Sequence, residues 1–349
     1  VLPFAPLPAL LLALVGERGP ETVAFDLLLG VHLGLDGTTP LYVGAAAALW
    51  ALAGLYATAY IKSARKPATF VAFWCLTLTG NLGVFLARDA VTFYASFTAV
   101  SLPAYILIVH AATLNALRAG RIYMILAILG ETALLAALLL GVAEAGSIMI
   151  ADVKAAVAAS SDRFHIALLL VVAFGIKAGL VPLHLWLPLA HPEAPTPASA
   201  VLSGAIVNAG IIGLVAFLPA GAGMTIISMG LVVAGMLGAF YAVLIGLLLS
   251  NPKVFLAYST VSQMGLVIAA VGASLVASNP AAAQAAIALY CVHHGLAKGA
   301  LFLSVGVVDH TARDRRPIII ALVAFAALSV AGLPLTGGAV AKAALKDGF

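Results

Sequence analysis

Runs of roughly 20 apolar residues, parted only by short polar or Gly/Pro-rich breaks, limit this chain more than any other feature. They fall at 1–15, 41–61, 68–87, 90–110, 121–143, 164–182, 199–218, 224–249, 254–277, 281–308 and 317–345. Most match the length a helix needs to cross about 30 Å of hydrocarbon, and none alternates polar and apolar residues as a barrel strand does. The runs predict an all-α polytopic membrane protein with about eleven transmembrane helices. With 64% hydrophobic and 9% charged residues and a mean hydropathy of +1.16, a soluble globular domain is excluded.

A formal net charge of +4 could suggest an anionic partner, but lysine and arginine in a membrane chain mainly set orientation, and no nucleic-acid partner is expected. Lys62, Arg65, Lys66, Arg118, Arg121, Lys253, Arg313, Arg315 and Arg316 lie in one set of alternate loops. Arg18, Arg88, Lys154 and Arg163 lie in the other, smaller set. The richer set is expected in the cytoplasm, which puts Val1 inside and the 16–40 loop outside. Val1–Val15 has neither a basic leader nor a small-residue cleavage site and reads as a span. Cys75 and Cys291 are far apart within apolar runs, so neither a disulfide framework nor a metal site is indicated. Haem-attachment and Walker motifs are missing, and no cofactor or redox site is expected on this chain.

The charges left inside the membrane carry the functional information. Lys177, Lys298 and Lys342 lie in apolar runs, where a central lysine costs about 2.5–3.5 kcal/mol unless it meets water or a polar partner. Glu131, in ILGETALLAALLL, is the acid available to partner or relay to them. His293 and His294 precede Lys298, and His294 shares a helix face with it at i to i+4. Imidazole titrates near neutrality, so this pairing suits stepwise proton transfer; helix packing is the plainer role for His293. Asn208 sits mid-span, where its amide can bond between helices or line a polar path.

Two runs are interrupted beside a lysine. Gly175, Gly179 and Pro182 surround Lys177, and Gly332, Pro334, Gly337 and Gly338 precede Lys342. Such breaks free backbone groups that lipid cannot satisfy, and paired interrupted segments point to a transport site. Between them, HLWLPLAHPEAPTP (184–197) holds four prolines and is expected to be a rigid non-helical connector. Its His184, His191 and Glu193 match no standard metal-ligand spacing.

These residues resemble the proton-translocating antiporter family: complex I large membrane subunits, group 4 hydrogenase and formate hydrogenlyase membrane arms, and multisubunit Na+/H+ antiporters. The matching stretches are VHLGLDGTTPL (31–41), IKAGLVPLHLWLPLAHPEAPTPASAVLSG (176–204), NPKVFLAYSTVSQMGLVI (251–268), HHGLAKGALFLSVG (293–306) and GLPLTGGAVAK (332–342). The wording is most similar to hydrogenase-4 members. The resemblance implies two inverted repeats with discontinuous helices, here N-terminal helices over 1–89, a first repeat over 90–218 and a second over 219–349 that is expected to be incomplete at its C-terminus. It puts Lys177 on the broken-helix lysine, Lys298 on the central lysine, His294 on the histidine before it, and Lys342 on the terminal lysine or glutamate. Thr98 stands where the family usually has a glutamate and Asn208 where many members have a lysine, so Glu131 is expected to replace the missing carboxylate.

The function so implied is conduction of protons or Na+ along a buried Lys/His/Glu chain. The setting is a multisubunit complex of membrane subunits in a prokaryotic inner membrane. A scaffold that translocates nothing, or a subunit of an inorganic-carbon-accumulating complex, are the competing readings.

Overall fold

The computed structural model describes residues 1–25 and 30–348; residues 26–29 of the expected 16–40 loop, and residue 349, lie outside it. The chain starts with α1 (Leu7–Val15), a hairpin of β1 (Gly19–Phe25) and β2 (Val31–Leu35), and α2 (Thr39–Tyr60). There follow α3 (Pro67–Leu86), α4 (Ala90–Ile108), α5 (Leu114–Ala145), α6 (Ile150–Ala159) and α7 (Arg163–Ala178). Two short helices, α8 (Trp186–Glu193) and α9 (Thr196–Val201), then lead through a π turn at Leu202–Ile206 into α10 (Val207–Phe217). The remainder is α11 (Thr225–Gly246), α12 (Pro252–Ser274), α13 (Pro280–His310), α14 (Arg316–Ala331) and α15 (Gly337–Asp347).

Among the described residues, eight helices are long and apolar enough to cross a membrane: α2 to α5, the α9–α10 unit, and α11 to α13. The other three expected spans differ. At nine residues α1 is about 13 Å long, too short to cross, while 164–182 and 317–345 are both split by breaks. The 16–40 loop is not wholly irregular, because β1 and β2 pair antiparallel within it. The 184–197 connector also needs correction, since α8 is helical despite its prolines. Pro188 sits in its first turn, where the missing N–H costs nothing, and Pro192 comes one residue before the helix ends.

The helix starts follow local chemistry. Asn251 and Asn279 cap α12 and α13 ahead of Pro252 and Pro280, an N-cap followed by proline at the first helical position. Buried Asp89 caps α4 by accepting from the Thr92 amide at 2.7 Å, and also accepts from the His32 amide at 3.0 Å. Backbone bonds from Arg88 to His32, Ala90 to Ile148 and Ile150 to Arg88 tie the hairpin, the α3–α4 turn and the α5–α6 turn into one strip at this end of the bundle.

Inside, Phe93, Phe97, Phe174 and Phe217 pack edge-on and stacked across α4, α7 and α10. Trp50 donates to Asn81 at 2.9 Å, and the Asn81 amide reaches the Ala205 carbonyl in the π turn at 3.4 Å. The π-turn segment meets α13 backbone to backbone at Gly204 and Gly295, where a side chain on either would strike the other's carbonyl. Leu52, Leu139, Phe240, Leu244 and Phe325 are exposed on outward faces, where lipid is the fitting surround.

Candidate functional site

Lys177 lies in the last turn of α7. That helix closes with Gly179 in the left-handed conformation (φ +83°), and the Leu180 amide returns to the Gly175 carbonyl at 2.8 Å. The break holds the side chain among other helices, where it is 5% exposed. Its ammonium donates to the Ser101 hydroxyl at 2.6 Å and lies 5.1 Å from the centre of the Phe97 ring and 5.9 Å from that of Tyr123. A cavity about the size of one water adjoins it, lined in part by Ser101, Tyr123 and Gly130. Trp186 donates its indole N–H to the Ile176 carbonyl at 2.7 Å, satisfying a helix end that lipid could not.

Glu131, on α5, is buried and accepts from Thr98 at 2.7 Å, while its second carboxylate oxygen has no partner. Thr98 thus touches the acid expected to stand in for it. Glu131 is close enough to act electrostatically on Lys177, but no ion pair joins them.

Lys298 is fully buried on α13 and donates to the Leu256 carbonyl at 3.1 Å. Thr260 donates to the same carbonyl, and its hydroxyl pairs with Ser203 at 2.7 Å. His294, one turn earlier, is buried with neither ring nitrogen bonded. A second buried imidazole without a partner, His191 of α8, is stacked on Phe302 at 4.6 Å and lies within electrostatic reach of Lys298. Two unbonded imidazoles therefore flank one buried ammonium.

The adjacent histidines diverge, because neighbours on a helix point about 100° apart. His293 pairs with the Ser329 hydroxyl of α14 at 2.9 Å. That helix ends as α7 does, with Gly332 left-handed (φ +86°) and the Leu333 amide bonded to the Leu328 carbonyl at 2.9 Å. Lys342, on α15, folds back to donate to the Ala331 carbonyl at 2.8 Å and is only half-buried. Asn208, just after the π turn, donates to the Gly204 and Cys291 carbonyls at 3.2 and 3.5 Å, and its side-chain oxygen has no partner.

The residues picked from sequence form three groups: Glu131 with Lys177, His294 with Lys298, and His293 beside the α14 break with Lys342. Asn208 sits between α10 and α13. The hydrogen bonds of the Lys177 group run to α4 and those of the Lys298 group to α12 and the π turn, so no direct hydrogen bond joins the two lysines. Ser101 and His191 were not picked as site residues. A helical serine usually bonds its own backbone, as Ser101 also does to Phe97, and His191 lies in a segment read as a connector.

Residues 87–346 match the model of the NADH:quinone oxidoreductase/Mrp antiporter transmembrane family. A protein of Mycobacterium tuberculosis (strain H37Rv), itself described as uncharacterized, is 34% identical over 335 residues, covering 90% of this chain and 52% of that protein. Hydrogenase-4 component B of Escherichia coli K12 is 29% identical over 293 residues, covering 79% of this chain and 43% of the relative. The chain thus spans about half the length of these curated relatives. Among solved structures, a chain of the Mrp complex from Dietzia sp. DQ12-45-1b aligns with a TM-score of 0.87 and 26% identity, over 99% of this chain and 39% of that one.

Proposed function

The chain belongs to the NADH:quinone oxidoreductase/Mrp antiporter transmembrane family, and on that premise we propose that it conducts protons or Na+ within a multisubunit complex of a prokaryotic inner membrane. The conducting groups are Glu131, Lys177, Asn208, His294, Lys298, His293 and Lys342, with His191 added beside Lys298. The observation that carries this reading is the fully buried Lys298 between two buried imidazoles whose ring nitrogens meet no hydrogen-bonding group of the protein. A structural lysine would have its donors met and its neighbours satisfied. An unbonded imidazole next to an ammonium can accept its proton and pass it on, and a water fitting the gaps would complete the step.

In this reading residues 90–218 and 219–349 are the two repeats and 1–89 the helices that precede them. The like endings of α7 and α14 support the repeat. One observation favours a non-conducting scaffold instead: Lys177 has a hydroxyl rather than a carboxylate as its direct partner. Lys298→Ala, made in the whole complex and reconstituted in vesicles, decides between them. We expect ion-coupled activity to vanish while assembly is kept; unchanged translocation would leave only the scaffold.

A further inference from the structure

At the end of the bundle where the hairpin sits, the helix termini do not close on one another. The starts of α2, α4, α6 and α13 and the ends of α3 and α10 surround a basin of about 430 Å³. Asp36, Thr39, Arg88, Met149, Lys154 and Gln284 are among its lining residues. The Asp36–Arg88 ion pair lies at its rim, with the two side chains 44% and 22% exposed, so the basin meets solvent at a charged edge. Arg88 and Lys154 belong to the sparser basic set, which places this mouth on the outer face.

Tyr42 lines the basin and also a second, water-sized cavity deeper in the bundle, shared with Gly204, Asn208, Cys291 and Gly295. The Tyr42 ring is buried against Phe85 at 5.8 Å, and its hydroxyl faces the Cys291 thiol. Beyond it lies the unpartnered buried side-chain oxygen of Asn208, a group that water would satisfy. From Cys291 to Lys298 along α13 is about 10 Å, two helical turns. Tyr42 therefore stands between the basin and the inner cavity, and the central lysine lies farther along α13.

We propose that this basin is the outer aqueous vestibule of the ion path, admitting water and a small monovalent cation, and that Tyr42 is the seal at its floor. The passage of ions rests on the transport reading above; the vestibule and its seal do not, and they are tested without any transport. The native Cys291 thiol lies on the inner side of the seal and reports on it, with Cys75→Ala removing the other thiol.

In sealed vesicles carrying the whole complex, a membrane-impermeant methanethiosulfonate applied to the outer face should modify Gln284→Cys rapidly and Cys291 hardly at all. Tyr42→Ala should raise the rate at Cys291 by at least an order of magnitude, and Tyr42→Phe should leave it slow. Tyr42→Leu, shorter but still apolar, serves if the alanine variant does not assemble, with the same rise expected. Resistance of Gln284→Cys, or its modification only from the opposite face, would overturn the vestibule. Equal modification of Cys291 with Tyr42 intact, or no rise when it is shortened, would overturn the seal. If Lys298→Ala leaves translocation intact while these rates behave as expected, the transport reading fails and the vestibule stands.

Discussion

Two helices of this bundle, α7 and α14, each run 16 residues and stop at a left-handed glycine with the same backbone closure over the last turn. Within residues 1–348 their surroundings differ. At the first break Lys177, Leu180 and His184 are all buried, and the indole of Trp186 meets the freed carbonyl of Ile176. At the second, Leu333 is exposed, Leu335 is fully exposed with a positive φ of 67°, and Lys342 itself meets the freed Ala331 carbonyl. A helix break is thus encoded locally, whereas the task of the lysine beside it depends on which helices close over it. The Lys177 ammonium is held by a serine and two aromatic rings, and that of Lys342 by a helix-end carbonyl.

Substituting the two glycines should separate the sites most. An alanine Cβ at Gly179 would collide with Leu187 in a packed interior, and Gly179→Ala should cost about 2–4 kcal/mol from left-handed strain plus overpacking. At Gly332 the neighbour, at 2.8 Å, is the flexible Lys342 stem, so Gly332→Ala should cost about 1–2 kcal/mol, nearly all of it strain. Thermal unfolding of the purified complex measures both, and equal shifts would break the comparison.

Next in size is removal of each charge with its stem kept. Lys177→Met should lower ion flux in proteoliposomes by about tenfold to a hundredfold, equivalent to one charged hydrogen bond of about 1.5–3 kcal/mol. Lys342→Met removes a half-open charge at a helix C-terminus, worth about 0.3–1 kcal/mol, and should lower flux by about twofold to fivefold. The smallest contrast is between hydroxyls. Thr98→Val leaves one oxygen of buried Glu131 without its donor and should destabilise by about 1–2 kcal/mol, whereas Ser329→Ala beside half-buried His293 should cost about 0.5 kcal/mol. A larger loss at Ser329 would show that the second break is closed as tightly as the first.

What could be read from the chain was what neighbouring residues decide. The two breaks announce themselves through Gly and Pro around a lysine, and the Asn-Pro starts of α12 and α13 are equally local. The lysines stood out because an ammonium in an apolar run demands an explanation. Helix α8 is hidden by its proline content, which argues against a helix until position is weighed: a proline in a first turn forfeits no hydrogen bond. His191 beside Lys298 and Ser101 under Lys177 were invisible for another reason: each contact joins residues far apart in the chain, and neither partner signals the other. The difference in enclosure between the breaks is of that second kind.

The π turn at Leu202–Ile206 carries a consequence for how this chain tolerates change in length. Each residue of an α-helix advances the angular phase by about 100°, and a π turn holds one residue more than an α turn. The wider turn takes up the surplus residue, so the helix after it, including the direction in which Asn208 points, keeps the phase it would have without that residue. Deleting Ala205 would let α9 and α10 fuse into one regular helix with the Asn208 amide still directed at α13, whereas winding the segment into regular α-helix with every residue kept would swing that amide about a quarter-turn away. At this place the wide turn absorbs a change of one residue, so homologous chains that differ here by a single residue would present the same side chain to α13.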